Sequence, residues 1–107
     1  MDSSWQPAPL AEVLSRIASE SRDFEPVDQS QWTQCSVTPF KATIRRSDEF
    51  GEESVFVIAR DDQAVIFFDD AEDGFGGAKL NAKGGLQGSR LYGELKHALR
   101  GFRRGAT

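Results

Sequence analysis

Four carboxylates crowd into five residues at Asp69-Asp70-Ala71-Glu72-Asp73, and Gly74 and Phe75 follow directly. Side chains of that type and spacing either hold a cation or offer negative charge to a basic surface. The calcium reading starts well, because a helix–loop–helix calcium site opened by Asp69 puts Asp73 fifth and Gly74 sixth. It then fails twice: Ala71 has no ligand oxygen at the third position, and Leu80 stands twelfth, where a bidentate glutamate belongs. An acidic turn is the better description. With Phe75 as an aromatic anchor, Asp69, Asp70, Glu72 and Asp73 form the candidate surface for a basic protein partner, since clustered charge steers and a buried aromatic holds.

A second candidate is anionic in its ligand. Gly84-Gly85-Leu86-Gln87-Gly88-Ser89-Arg90 reads as a glycine-rich approach to a final helix capped by Ser89. Free N–H groups at a helix start attract phosphate, so Gly85, Gly88, Ser89 and Arg90, helped by Lys83, are the alternative site for a phosphate or other anion. Neither nucleotide fingerprint is complete: Lys79 occupies the last glycine position of the pattern begun at Gly74, and Lys83 precedes Gly84 instead of following it. His97 is the only imidazole and Cys35 the only thiol. A zinc site would need more nitrogen and sulfur ligands than that. Glu94 and His97, three residues apart, read as a surface helix pair, and Cys35 as a small core residue. The expectation is therefore no cofactor, no metal and no catalytic constellation.

These side chains need a scaffold. Leu10, Val13, Leu14, Ile17 and Ala18 recur at three- and four-residue steps after Pro9, which predicts a helix over 9–21. Glu12, Arg16 and Glu20 share a polar side at four-residue steps, a spacing that allows weak pairing. Residues 22–31 read as a loop and Trp32–Val37 as a weak strand that Pro39 interrupts. Phe40, Ala42 and Ile44 alternate with polar neighbours and predict a strand with one buried face. Residues 54–60 and 64–69 are rich in β-branched and aromatic side chains on both faces, so they want cover on both sides. Residues 69–77 read as an acidic loop and 76–88, which hold five of the ten glycines, as an irregular connection with a short edge strand. Leu91, Leu95, Leu99 and Phe102 then predict a second helix ending near Gly101.

The reading is α+β: an N-terminal helix, a mainly antiparallel sheet of three to five strands and a C-terminal helix. It is one domain over 1–107, with a flexible arm at 1–8 and a flexible basic tail at 103–107. The predicted core is Leu10, Leu14, Ile17, Phe40, Ile44, Val57, Ile58, Ile66, Phe68, Leu95 and Leu99. Residues 1–78 carry 16 acids and 6 bases, and residues 79–107 carry 1 acid and 7 bases, giving −10 and +6. That asymmetry implies a basic tail lying near an acidic body, and it argues against nucleic acid, which most of the molecule would repel. No apolar run is long enough for a membrane span and no leader pattern opens the chain, so a cytoplasmic protein is expected. In size, acidity and lack of a catalytic constellation the chain is similar in a general way to bacterial accessory and toxin-neutralising proteins. That resemblance implies a non-enzymatic, inhibitor- or immunity-like module that engages a basic partner through the acidic loop. Self-association through an uncovered sheet face is a further expectation.

Overall fold

The computed structural model describes residues 10–47, 51–70 and 72–105, with the side chains of 46, 47 and 103–105 left aside. The arm expected over 1–8 lies outside the described residues. Helix α1 (Leu10–Ser21) forms where the periodicity places it. A second helix, α2 (Pro26–Cys35), replaces most of the loop predicted over 22–31 and of the weak strand predicted over Trp32–Val37, of which Ser36 and Val37 do enter a strand. Its start is set by local chemistry. Pro26 sits in the first turn, where its missing N–H costs nothing, and the Glu25 N–H donates to the Asp28 carboxylate at 3.2 Å.

Five strands follow: β1 (Ser36–Ser47), β2 (Gly51–Asp61), β3 (Ala64–Asp69), β4 (Gly74–Leu80) and β5 (Gly85–Gly93). Helix α3 (Leu95–Gly105) completes the order. Successive strands pair antiparallel, and β1 meets β5 in parallel, which closes the sheet into a barrel. Pro39 does not stop β1. Ser36 lies opposite Ala59 and Phe40 opposite Val57, and this register slip accommodates a residue with no N–H to give.

Two other expectations change. The acidic loop ends at Asp73, because Phe75 already belongs to β4. Ser89 caps no helix; it lies inside β5, and the last helix begins only at Leu95 and runs through Gly101 to Gly105. The four-residue spacing of Leu91, Leu95 and Leu99 is a coincidence across a strand–helix boundary at Gly93-Glu94, with Gly93 at φ 86°.

Barrel closure explains why the central strands are apolar on both faces. Val55, Val57, Val65 and Phe67 point into the barrel with Ala42, Ile44 and Leu86. Ile58, Ile66, Phe68 and Phe75 point outward against Val13, Leu95, Ala98, Leu99 and Phe102 of the helices. Ala59 shares the outer layer with its neighbour Ile58, because the β2–β3 register slips between Val57 and Ala59. The sheet face reserved for self-association is thus covered within the chain. Leu10 and Leu14, expected in the core, are exposed, Leu14 by 47%. Val13 turns inward, and the flank carrying Leu10 and Leu14 rotates past the contact. Gly76 lets β4 pack closely: a Cβ there would lie 2.8 Å from the Arg90 carbonyl oxygen and 2.8 Å from the Phe67 ring.

Candidate functional site

The end of the barrel where β3 turns into β4 brings together α1, the acidic loop and the start of α3. The loop is shaped from within. Asp69 is buried and its Oδ1 accepts the Glu72 N–H at 3.2 Å, a side-chain turn that faces Glu72 and Asp73 outward. Asp73 closes the turn with φ 54°, a conformation short polar residues tolerate.

Arg16 of α1 then reaches the loop. Its Nη1 donates to Asp73 Oδ1 at 2.7 Å and its Nη2 to the Asp73 carbonyl at 3.0 Å. Its Nε donates to Glu20 Oε2 at 2.6 Å, one turn along the helix, and its guanidinium lies 5.6 Å from the Phe68 ring centre. The hydrogen bonds to Asp73 and then to Glu20 hold the Arg16 pKa above its ordinary value, so the cation is permanent. The second oxygen of Glu20 accepts the Leu95 N–H at 2.7 Å. Helix α3 has no acid in its first turn, so α1 supplies the carboxylate its N-terminus favours. One polar chain therefore runs from the loop through Arg16 and Glu20 to α3.

Around that chain an open groove of ≈ 350 Å³ is lined by Glu12, Ser15, Arg16, Ser19, Phe68 and Asp73. Glu12, Glu72, Asp73 and Glu94 are exposed on this end. Such a surface can attract and orient cationic side chains, and Arg16 gives it one internal cation that a competitor could replace.

Of the predicted partner-binding residues, Asp69, Asp70, Glu72 and Asp73 share this turn. Phe75 does not join them at the surface. It is fully buried, with its ring 5.2 Å from that of Phe68 in an edge-on contact. The strand period turns it under the helices as soon as β4 begins, so it is a core residue and no anchor. Arg16 and Glu20 were legible as an i,i+4 pair, but their reach to the loop and to α3 was not.

The anion reading loses its geometry. Gly85 donates its N–H to Asn81 Oδ1 at 2.9 Å, as does Lys83, so the turn consumes the groups a phosphate would need. Gly88, Ser89 and Arg90 lie exposed along β5, with no helix start behind them. His97 Nδ1 stands 3.5 Å from Glu94 Oε1, and both side chains are more than half exposed. Cys35 is buried at the end of α2, and burial pushes its thiol up to about 11. Among the described residues, no group of three or more His, Cys, Asp or Glu is arranged to hold a metal ion.

The basic end of α3 does lie against acids. Arg100 Nη2 is 3.1 Å from Asp28 Oδ2 and 3.5 Å from Glu25 Oε1. The Asp28 hydrogen bond holds the Arg100 pKa above its ordinary value. Among the described residues no helix is long and apolar enough to cross a membrane. Comparison with known proteins finds no matching family model, no matching curated protein and no matching solved structure.

Proposed function

We propose that the protein is a non-enzymatic binding module, accessory or inhibitor-like in kind, that engages a basic surface of another protein through the acidic end of its barrel. The observation that supports this most is that exposed carboxylates of two separate elements, Glu12 of α1 and Asp73 of the loop, line one groove with Arg16, with Glu72 exposed next to Asp73. The loop is held in shape from within by Asp69 and by Arg16, so little ordering cost attends binding. A cationic side chain entering the groove exchanges with Arg16 for Asp73 and meets the carboxylate of Glu12 as well. The cytoplasm is the compartment this reading assigns to the encounter.

The test is affinity recovery from native lysate at low and high salt. The wild-type chain is compared with a Glu12→Lys/Glu72→Lys variant, whose substitutions are exposed and leave the Arg16–Glu20–Leu95 chain intact. A basic partner retained only at low salt, and lost with the variant, supports the reading. Equal recovery by both chains overturns it.

A further inference from the structure

A second hollow, of ≈ 180 Å³, lies where β3, β4 and β5 meet α3. It is at the far end of the β3–β4 pair from the acidic loop, since Ala64 lies opposite Lys79 there and Asp69 opposite Gly74 at the loop. One wall is the Tyr92 ring, and two glycines make room for it. A Cβ at Gly77 would lie 3.2 Å from Tyr92 Cε2, and one at Gly101 would lie 2.5 Å from Tyr92 Oη. Gly101 sits within α3, where alanine is the better helix former, so its bare backbone serves the ring and not the helix.

The ladder beside that ring is irregular. Gly77 faces Arg90 and Lys79 faces Gln87, so β5 takes three steps where β4 takes two, and Gly88 adopts φ 63°. A bulge of this kind leaves its extra residue out of the ladder and re-aims the side chains around it. Lys79, Gly88 and Arg90 all line the hollow together with Ala64, Tyr92 and Phe102, and no carboxylate is among the described residues that line it. Asp61 lies opposite Ala64 on β2, but its charge acts on Cys35 at the end of α2 and it does not line the hollow. Among the described residues neither Lys79 nor Arg90 is held in an ion pair.

We infer that this hollow binds a small organic carboxylate, with Lys79 and Arg90 on the charge and the Tyr92 ring, Ala64 and Phe102 against the apolar body. A neutral ligand would leave both cations without a counter-charge, and an inorganic anion would leave the apolar wall wet. The volume limits the body to one small ring or a short branched chain. The site is built from a strand bulge and a helix glycine, with no helix start, so Gly85 and Ser89 take no part in it. It is separate from the acidic end and stands whether or not that end binds a basic partner.

Benzoate and isobutyrate are the probes, one ring and one branched chain, read by amide shifts of the full chain at low salt. Benzamide and isobutyramide remove the charge, and inorganic phosphate removes the apolar body. At least one carboxylate should saturate, with shifts centred on Gly77–Lys79, Gly88–Tyr92 and Gly101–Phe102, and its amide and phosphate should each bind about tenfold more weakly or not at all. Lys79→Gln/Arg90→Gln, whose positions are both exposed, should weaken the carboxylate by about tenfold, and Glu12→Lys/Glu72→Lys should leave it unchanged. Four results overturn the inference: no saturation by either carboxylate up to about 50 mM, equal binding of the amide or of phosphate, shifts centred on another element, or undiminished binding by the Lys79→Gln/Arg90→Gln chain.

Discussion

Two arginines join elements that lie far apart in the chain. Arg16 reaches Asp73 at 2.7 Å, and Arg100 reaches Asp28 at 3.1 Å. The shorter contact is the more exchangeable one. Asp73 is 81% exposed, so water and salt compete for it at every moment, whereas the Asp28 side chain is fully buried. Distance alone misranks the pairs; what the carboxylate gives up when its partner leaves decides. Asp28 loses its cation in a site with little water to replace it and also serves the start of α2, so it fixes the helix pair. Asp73 can be handed from Arg16 to another cation with little loss, as the proposed docking surface would require.

Asp28→Ala should separate the two contacts most sharply. It removes the acceptor for the Glu25 N–H and the partner of Arg100 together, and should cost about 2 kcal/mol in denaturant unfolding. A cost no larger than that of a surface substitution would erase the contrast.

At the other end of α2, Cys35 offers a pH readout of the same buried region. Its folded value of about 11 lies above the ordinary 9.0, so the folded state favours the neutral thiol. The contribution is fully present below pH 9 and is lost as pH rises toward 11, with about 1 kcal/mol gone by pH 10. The stability difference between wild type and Cys35→Ala should therefore shift by that amount between neutral pH and pH 10. A constant difference would mean that the α2 end opens to water more readily than the Asp28 end.

Asp73→Asn, which keeps a residue suited to positive φ, should cost under about 1 kcal/mol and lose its effect at high salt. Thermal unfolding at two ionic strengths measures it. A larger, salt-insensitive loss would place Asp73 with Asp28 instead.

Elements with a clear helical period or a dense β-branched run were legible from the residues. The spacing of Val13 and Ile17 fixes α1, and the dense β-branched runs of 54–60 and 64–69 fix β2 and β3. Helix α2 escaped because Val27 and Trp32 give it almost no apolar stripe; only Pro26 at its start and Asp28 three residues after Glu25 announce it. Strand β5 was hidden by leucines that mimic a helical step across Gly93. The acidic loop was visible as charge, but its geometry depends on Arg16, 57 residues away, which local spacing cannot place. Phe75 shows the same limit in reverse: it follows the exposed acids Glu72 and Asp73 by two or three residues, yet the start of β4 turns it into the core.

The carboxylate of Glu20 has a consequence for the order in which the fold assembles. Helix α3 follows the barrel in the chain and borrows its first-turn acceptor from α1, so the start of α3 is complete only once it has docked on α1. A barrel formed ahead of that event presents Ile58, Ile66, Phe68 and Phe75 to water as an adhesive patch. A change at position 20 therefore bears on the covering of that patch as well as on native stability.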